Sequence, residues 1–315
     1  MKRGWRIFWS VVIGVPLVIF AAWALWDNTR LFAITFLNGM TLASLYFIVA
    51  AGFTLVFGLM RNVNLAHGSL YLLGGYLGFF TAQTTGSWTL ALLVGFVVAA
   101  LAGLLMQVSI FRFMQGQDLR QTMVTIGLSI VIADLLMWSI GAQVHQGSPP
   151  DWLNGPIRNI PVIRAYSAYR LALIPMGVAI GVALWVFLNR TRVGMMIRAG
   201  VDDRGMLSAS GVNVNLVFAA TFAIGAGLAG LGGVIGSIEL SMAPGEDTRL
   251  LLASLIVVIV GGMGSVVGAA IGAAILGLAE TYGLAYAPTY SVVFTFVILV
   301  LVLAFRPRGI LGRPA

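Results

Sequence analysis

The chain has 315 residues, of which 60% are hydrophobic and 9% charged, against about a quarter charged in ordinary soluble domains. That balance excludes a water-soluble globular enzyme. With no cysteine and only two well-separated histidines, His67 and His145, it offers no disulfide, thiolate centre or metal cluster. The formal net charge of +8 lies in short segments between apolar runs, so it speaks of membrane orientation rather than nucleic acid.

Many apolar runs reach the roughly 20 residues a bilayer helix needs. Backbone polar groups in lipid must be satisfied within the segment, so an all-α polytopic membrane protein is expected. Lys2, Arg3 and Arg6 precede a first run, Ile7–Trp26. It is longer than the apolar part of a cleaved signal and crowded with tryptophan near Ala22-Trp23-Ala24, so it is read as a retained span. A second run, Leu31–Leu59, carries Asn38-Gly39 early and Gly52 and Gly58 late. The polar stretch Arg61–Ser69 leads to a third span ending near Ala82. The fourth covers Trp88–Phe111, and the fifth, Thr122–Gly141, contains Asp134.

Residues 142–169 hold Pro149, Pro150, Pro156 and Pro161, which favour extended or turn structure, and form the expected periplasmic loop. A sixth span, Arg170–Leu188, precedes a charged interval, and the seventh is Leu216–Ile238. Glu239–Arg249 is expected outside the membrane. The apolar stretch Leu250–Val260 is too short to cross and is broken at Gly261-Gly262-Met263-Gly264-Ser265 before apolar sequence resumes to Tyr282. A broken or re-entrant helix pair is therefore expected near 250–283, followed by a last span, Tyr290–Phe305. Thirteen of the eighteen Lys and Arg residues fall on one side of this arrangement and five on the other. The positive-inside rule then gives about eight full spans plus the broken pair, with both termini cytoplasmic.

The sole lysine is Lys2, so no Walker-type phosphate loop can be written. If ATP drives this chain, the motor is another polypeptide. The interval 190–212, with Arg190, Arg192, Arg198, Asp202, Asp203 and Arg204, is the one long charged stretch in the second half. It reads either as an ordinary cytoplasmic loop or as a short docking helix over Val193–Ser208. In the second reading Arg198 pairs with Asp202 four residues on, and Met195, Met196 and Met206 supply adaptable contacts. Gly211 provides the stop.

Two glycine-interrupted apolar regions occupy comparable places in the two halves, Gly58–Gly78 and Gly261–Gly272, a pattern that points to a translocation path. Its candidate residues are Asn62, Asn64, His67, Gly68 and Ser69 in the first region and Gly261, Gly262, Gly264 and Ser265 in the second. Other glycines four apart suit close helix packing. Asp134 and Glu280 are the acidic residues inside apolar runs; charge there is costly, so each is expected to be hydrogen-bonded within the protein. Paired catalytic carboxylates, a Ser-His-Asp set and H-E-x-x-H are all missing.

Asn38-Gly39, Gly58-Leu59, Asn64-Leu65-Ala66-His67-Gly68-Ser69 and Gly74-Gly75-Tyr76 resemble the opening signature of the branched-chain amino-acid ABC-transporter permeases. Gly194, Arg198-Ala199, Asp203 and Gly211-Val212-Asn213-Val214 are similar to that family's cytoplasmic coupling segment, and Gly261–Gly268 resembles its late glycine-rich motif. The likeness runs from Asn38 to Gly283. It implies a single permease domain in a bacterial-type inner membrane, importing branched-chain amino acids or related amides, urea or small carboxylates by alternating access. It implies two cytosolic ATPase subunits carrying ATP and Mg²⁺, a second permease subunit, identical or paralogous, and a periplasmic solute-binding protein, with no cofactor in this chain. Gly194, Arg198, Ala199, Asp202, Asp203, Arg204 and Gly211 become the coupling residues. The rival expectation is a secondary transporter or facilitative channel working alone.

Overall fold

A computed structural model describes the backbone of residues 3–60, 64–114 and 116–312; side chains are described for these except residues 3–23, 25, 27, 58–60, 201, 202, 204 and 292. The first helix, α1, runs Arg3–Met60 but bends at Asn28, where φ −153° and ψ 86° are not helical. The Asn28 side chain accepts the Leu31 amide at 2.9 Å, which is how asparagine starts a helix. The two runs expected as separate spans are therefore two helices joined end to end.

Helices α2 (His67–Thr85), α3 (Trp88–Ser109), α4 (Asp118–Ile140) and α5 (Ala168–Arg190) follow. A short elbow of α6 (Arg192–Asp202) and α7 (Arg204–Ala209) leads to α8 (Val214–Glu239). Then come α9 (Glu246–Gly261), α10 (Val266–Tyr286) and α11 (Ser291–Phe305). Among the described residues, six helical segments are long and apolar enough to cross a membrane: Asn28–Phe57, α3, α4, α5, α8 and α10. Helix α9, with 16 residues, measures about 24 Å and falls short of a hydrocarbon core of about 30 Å. Helix α10, with 21 residues, does not fall short. The pair near 250–283 is thus one short helix and one full one, not two halves.

The bundle is built around α8, against which α1, α2 and α3 all pack. A Cβ on Gly74 of α2 would run into the backbone of Gly230 in α8, and one on Gly230 into the Gly95 carbonyl of α3. Three backbones meet there because none carries a side chain. In lipid, where apolar surface gains nothing by leaving its solvent, such close packing supplies much of the attraction between helices. Helix α4 sits at the rim, with only Gln121, Thr125 and Leu136 buried.

Residues 142–169 contain extended chain, as their prolines suggest. Strand β1 (Pro156–Ile160) pairs antiparallel with β2 (Arg164–Ser167). From β2 the Tyr166 hydroxyl donates to Asn38 Oδ1 at 2.8 Å and lies 3.2 Å from Thr41 Oγ1. Burial raises its phenol above the ordinary value, which keeps it a neutral donor. Upstream, His145 and Met242 exchange backbone hydrogen bonds of 2.9 and 2.7 Å. An Arg170–Glu239 ion pair of 3.1 Å ties α5 to α8 at this end.

Candidate functional site

The elbow at the basic end of the bundle is set by capping side chains. Thr191 Oγ1 accepts the Gly194 amide at 3.0 Å to start α6, and Asp203 Oδ1 accepts the Met206 amide at 3.0 Å to start α7. Gly211, at φ 79°, makes the turn before Asn213 caps α8. The single helix expected over Val193–Ser208 is therefore two, divided where Asp203 leaves helical geometry (φ −152°, ψ 108°). Gly194 is required because a Cβ there would strike the Phe187 carbonyl and the Leu188 backbone. Ile197 and Leu207 are buried and pin the elbow to the bundle, whereas Val193, Met195 and Met206 are exposed.

Arg198 donates to Asn189 Oδ1 at 2.8 Å, holding α6 back onto the end of α5. The expected pairing with Asp202, and the role of Arg204, lie outside the described side chains. Ala199 is exposed. Asp203 is engaged as a cap, so its carboxylate has a structural task of its own.

The first candidate path region lies well inside the bundle. Asn64, nearly fully buried, folds its Oδ1 back to the Ala66 amide at 3.1 Å, and its carbonyl accepts the His67 amide at 3.3 Å. His67 Nε2 lies 3.0 Å from the Val49 carbonyl, and the ring meets Phe53 edge-on at 5.4 Å. Val49 is eleven residues before Met60 in α1, about 16 Å up that helix at 1.5 Å per residue. Helix α2 thus begins deep in the bundle, as a discontinuous helix does. Ser69 Oγ lies 2.8 Å from Ser129 Oγ on α4 and donates to Asp247 Oδ2 of α9 at 3.4 Å, while Gly68 lets the Asp247 carbonyl come close. Asn62 lies outside the described residues.

The second candidate region is elsewhere. Gly261 packs on the Gly268 backbone, Gly262 and Gly264 have φ 109° and 78°, and Ser265 caps α10 by accepting the Gly268 amide at 3.0 Å. The segment after α11 closes over this corner: Ile310 N–H donates to the Val260 carbonyl and Leu311 N–H to that of Gly261, both at 2.9 Å. The fourteen residue steps of α9 from Asp247 to Gly261 separate the two regions by about 21 Å. They do not converge on one site. The glycines at 261–264 make a tight corner and admit a returning backbone, which is reason enough for them.

What does meet the first region is the start of α9, which was expected in an outer loop. Arg249 Nη2 lies 3.0 Å from Glu280 Oε1, and its Nη1 lies 3.5 Å from Glu246 Oε2. The Tyr46 hydroxyl donates to Glu280 Oε2 at 2.6 Å. Glu280 is thus hydrogen-bonded within the protein, as expected. Asp134 is not: it stands on the exposed face of α4, one heptad from Gly127, beside which a Cβ would meet nothing within 4 Å. The signal for α9 was present as Gly245 followed by Glu246 and Asp247, acidic residues in a first helical turn.

A family model described as branched-chain amino acid transport system / permease component matches residues 35–303. The high-affinity branched-chain amino acid transport system permease protein BraD of Pseudomonas aeruginosa is 30% identical over 292 residues, covering 88% of this chain and 94% of BraD. LivH of Escherichia coli K12, with the same description, is 32% identical over 297 residues, again 88% and 94%. The ribose import permease protein RbsC of Escherichia coli K12 is 29% identical over 242 residues, 73% of this chain and 71% of RbsC.

Proposed function

Because this chain belongs to the branched-chain amino acid transport permease family, we propose that it is the membrane subunit of an ATP-driven importer of branched-chain or chemically related amino acids. It is a multi-pass membrane protein whose relatives are named as transport permeases rather than enzymes. The proposed complex has two ATPase subunits on the basic, cytosolic side, holding ATP and Mg²⁺. It also has a second permease subunit and a solute-binding protein at the opposite, periplasmic end, in a bacterial-type inner membrane.

The observation that carries this reading is the elbow α6–α7. It is a short element with capped ends, pinned by two buried side chains and presenting Val193, Met195 and Met206 outward. Exposed apolar side chains on a charged projection suit a protein contact, and methionine adapts to a partner groove. Movement of a bound motor passes through Gly211 to α8, the helix on which α1, α2 and α3 lean. Tilting α8 against its glycine-lined neighbours would exchange outward for inward access.

The test is reconstitution in liposomes. Labelled leucine is expected to accumulate only when the ATPase subunits, ATP and loaded binding protein are all present. Uptake by this chain alone, without nucleotide, would refute the reading and establish a self-sufficient transporter.

A further inference from the structure

We propose that Arg249 and Glu280 form a binding site within the membrane for the two charged groups of an α-amino acid. The guanidinium takes the carboxylate; Glu280, together with Glu246, takes the ammonium. This deepens the importer reading and rests on it.

Depth comes first. Glu280 is fourteen residues beyond Val266 in α10, and Arg249 twelve residues before Gly261 in α9. At 1.5 Å per residue both stand about 18–21 Å above the glycine corner at the basic end, inside a hydrocarbon layer of about 30 Å. Ionisable groups at such depth are expensive and mark substrate or ion pathways more often than they stabilise a fold.

Exposure comes second. Tyr46, behind the pair, is 1% exposed, yet the Arg249 side chain is 45% exposed and that of Glu280 20%. A guanidinium this open at this depth faces water or solute, because lipid would leave its donors unpaired. The pair is therefore sealed on the Tyr46 side and reachable on the other.

Charge comes third. Arg249 is shared between two carboxylates, those of Glu280 and Glu246, so the group presents a guanidinium and carboxylates side by side. A zwitterion matches both signs at once and, being net neutral, leaves the charge of the group unchanged. Its carboxylate can occupy the planar fork of donors on Arg249, and its ammonium can replace the guanidinium at a carboxylate. Urea or a neutral amide brings no charge to match, and a plain carboxylate adds to an existing excess. Among the solutes the sequence left open, the geometry favours zwitterionic amino acids.

The experiment uses the complete complex in nanodiscs, without binding protein, and radiolabelled L-leucine competed by unlabelled L-leucine, L-leucinamide and 4-methylpentanoate. Wild type should bind the two one-charge analogues about tenfold or more weakly than leucine, the factor expected for losing a charge-assisted hydrogen-bonded contact. Arg249→Gln should abolish the discrimination against leucinamide, and Glu280→Gln, which can still bond Tyr46, that against 4-methylpentanoate. Where Arg249→Gln does not assemble, Arg249→Lys keeps the charge without the fork. It should weaken leucine several-fold and leave leucinamide unchanged, whereas equal weakening of both overturns the site. Unchanged discrimination in both glutamine variants also overturns it, and ATP-driven leucine uptake by the wild-type complex then leaves the importer reading standing. No such uptake by wild type removes the importer reading and the site with it.

Discussion

Two glycines in apolar helices have opposite surroundings, and their replacement by alanine should have opposite effects. At Gly74 the added methyl collides with the backbone of Gly230, which has no rotamer to change. Overpacking of this kind costs about 1–3 kcal/mol, and the upper part of that range applies because whole helices must part. At Gly127 nothing lies within 4 Å of the new carbon. There alanine gains about 0.5–1 kcal/mol of helix stability over glycine. The two variants should therefore differ by about 2.5–4 kcal/mol in stability. Thermal unfolding of the isolated chain in one detergent–lipid mixture, followed by tryptophan fluorescence, reads the difference as a lower midpoint for Gly74→Ala and an unchanged or raised one for Gly127→Ala. Equal midpoints, or the reverse order, would show that close backbone contact at Gly230 does not hold the bundle together.

Replacing Met195 and Met206, which are 49% and 69% exposed, by glutamate should leave membrane insertion intact and abolish copurification of the ATPase subunits; retained copurification rules out the elbow as their dock. Tyr166→Phe removes the bond to Asn38 and should destabilise the 142–169 segment by about 1–2 kcal/mol, measured as faster amide exchange in β1 and β2 with α8 unaffected. Gly262→Ala forces a left-handed φ of 109° on an alanine and crowds Gly312. A cost of about 1–3 kcal/mol should appear as new protease sensitivity at the α9–α10 corner.

The helices were legible because lipid leaves the backbone one economical solution, and runs such as Trp88–Phe111 and Leu216–Ile238 announce it by length. The elbow was legible for the converse reason: Arg190, Arg192, Arg198 and Arg204 cannot share those runs. Its division at Asp203 was missed because a capping aspartate and a surface aspartate look alike until the Met206 amide is in view. The start of α9 was missed because Glu246, Asp247 and Arg249 read as solvated when their partners are Glu280 and Ser69. Charge is visible in a sequence; pairing across the fold is not. The glycines at 261–264 carried a pattern shared by conduits and tight corners, and the corner closed by residues 310–311 could not be read from it. Asp134 was expected to find its hydrogen bond inside this chain, and it stands instead on the outward face of α4.

The clasp of Ile310 and Leu311 on Val260 and Gly261 has a consequence for biogenesis. The corner between α9 and α10 is finished by residues about fifty positions downstream, so inserting those two helices does not complete it. A nascent chain arrested on the ribosome before residue 310 should hold α9 and α10 in the bilayer yet leave their junction open to cleavage. Release of the remaining residues from the tunnel should close it.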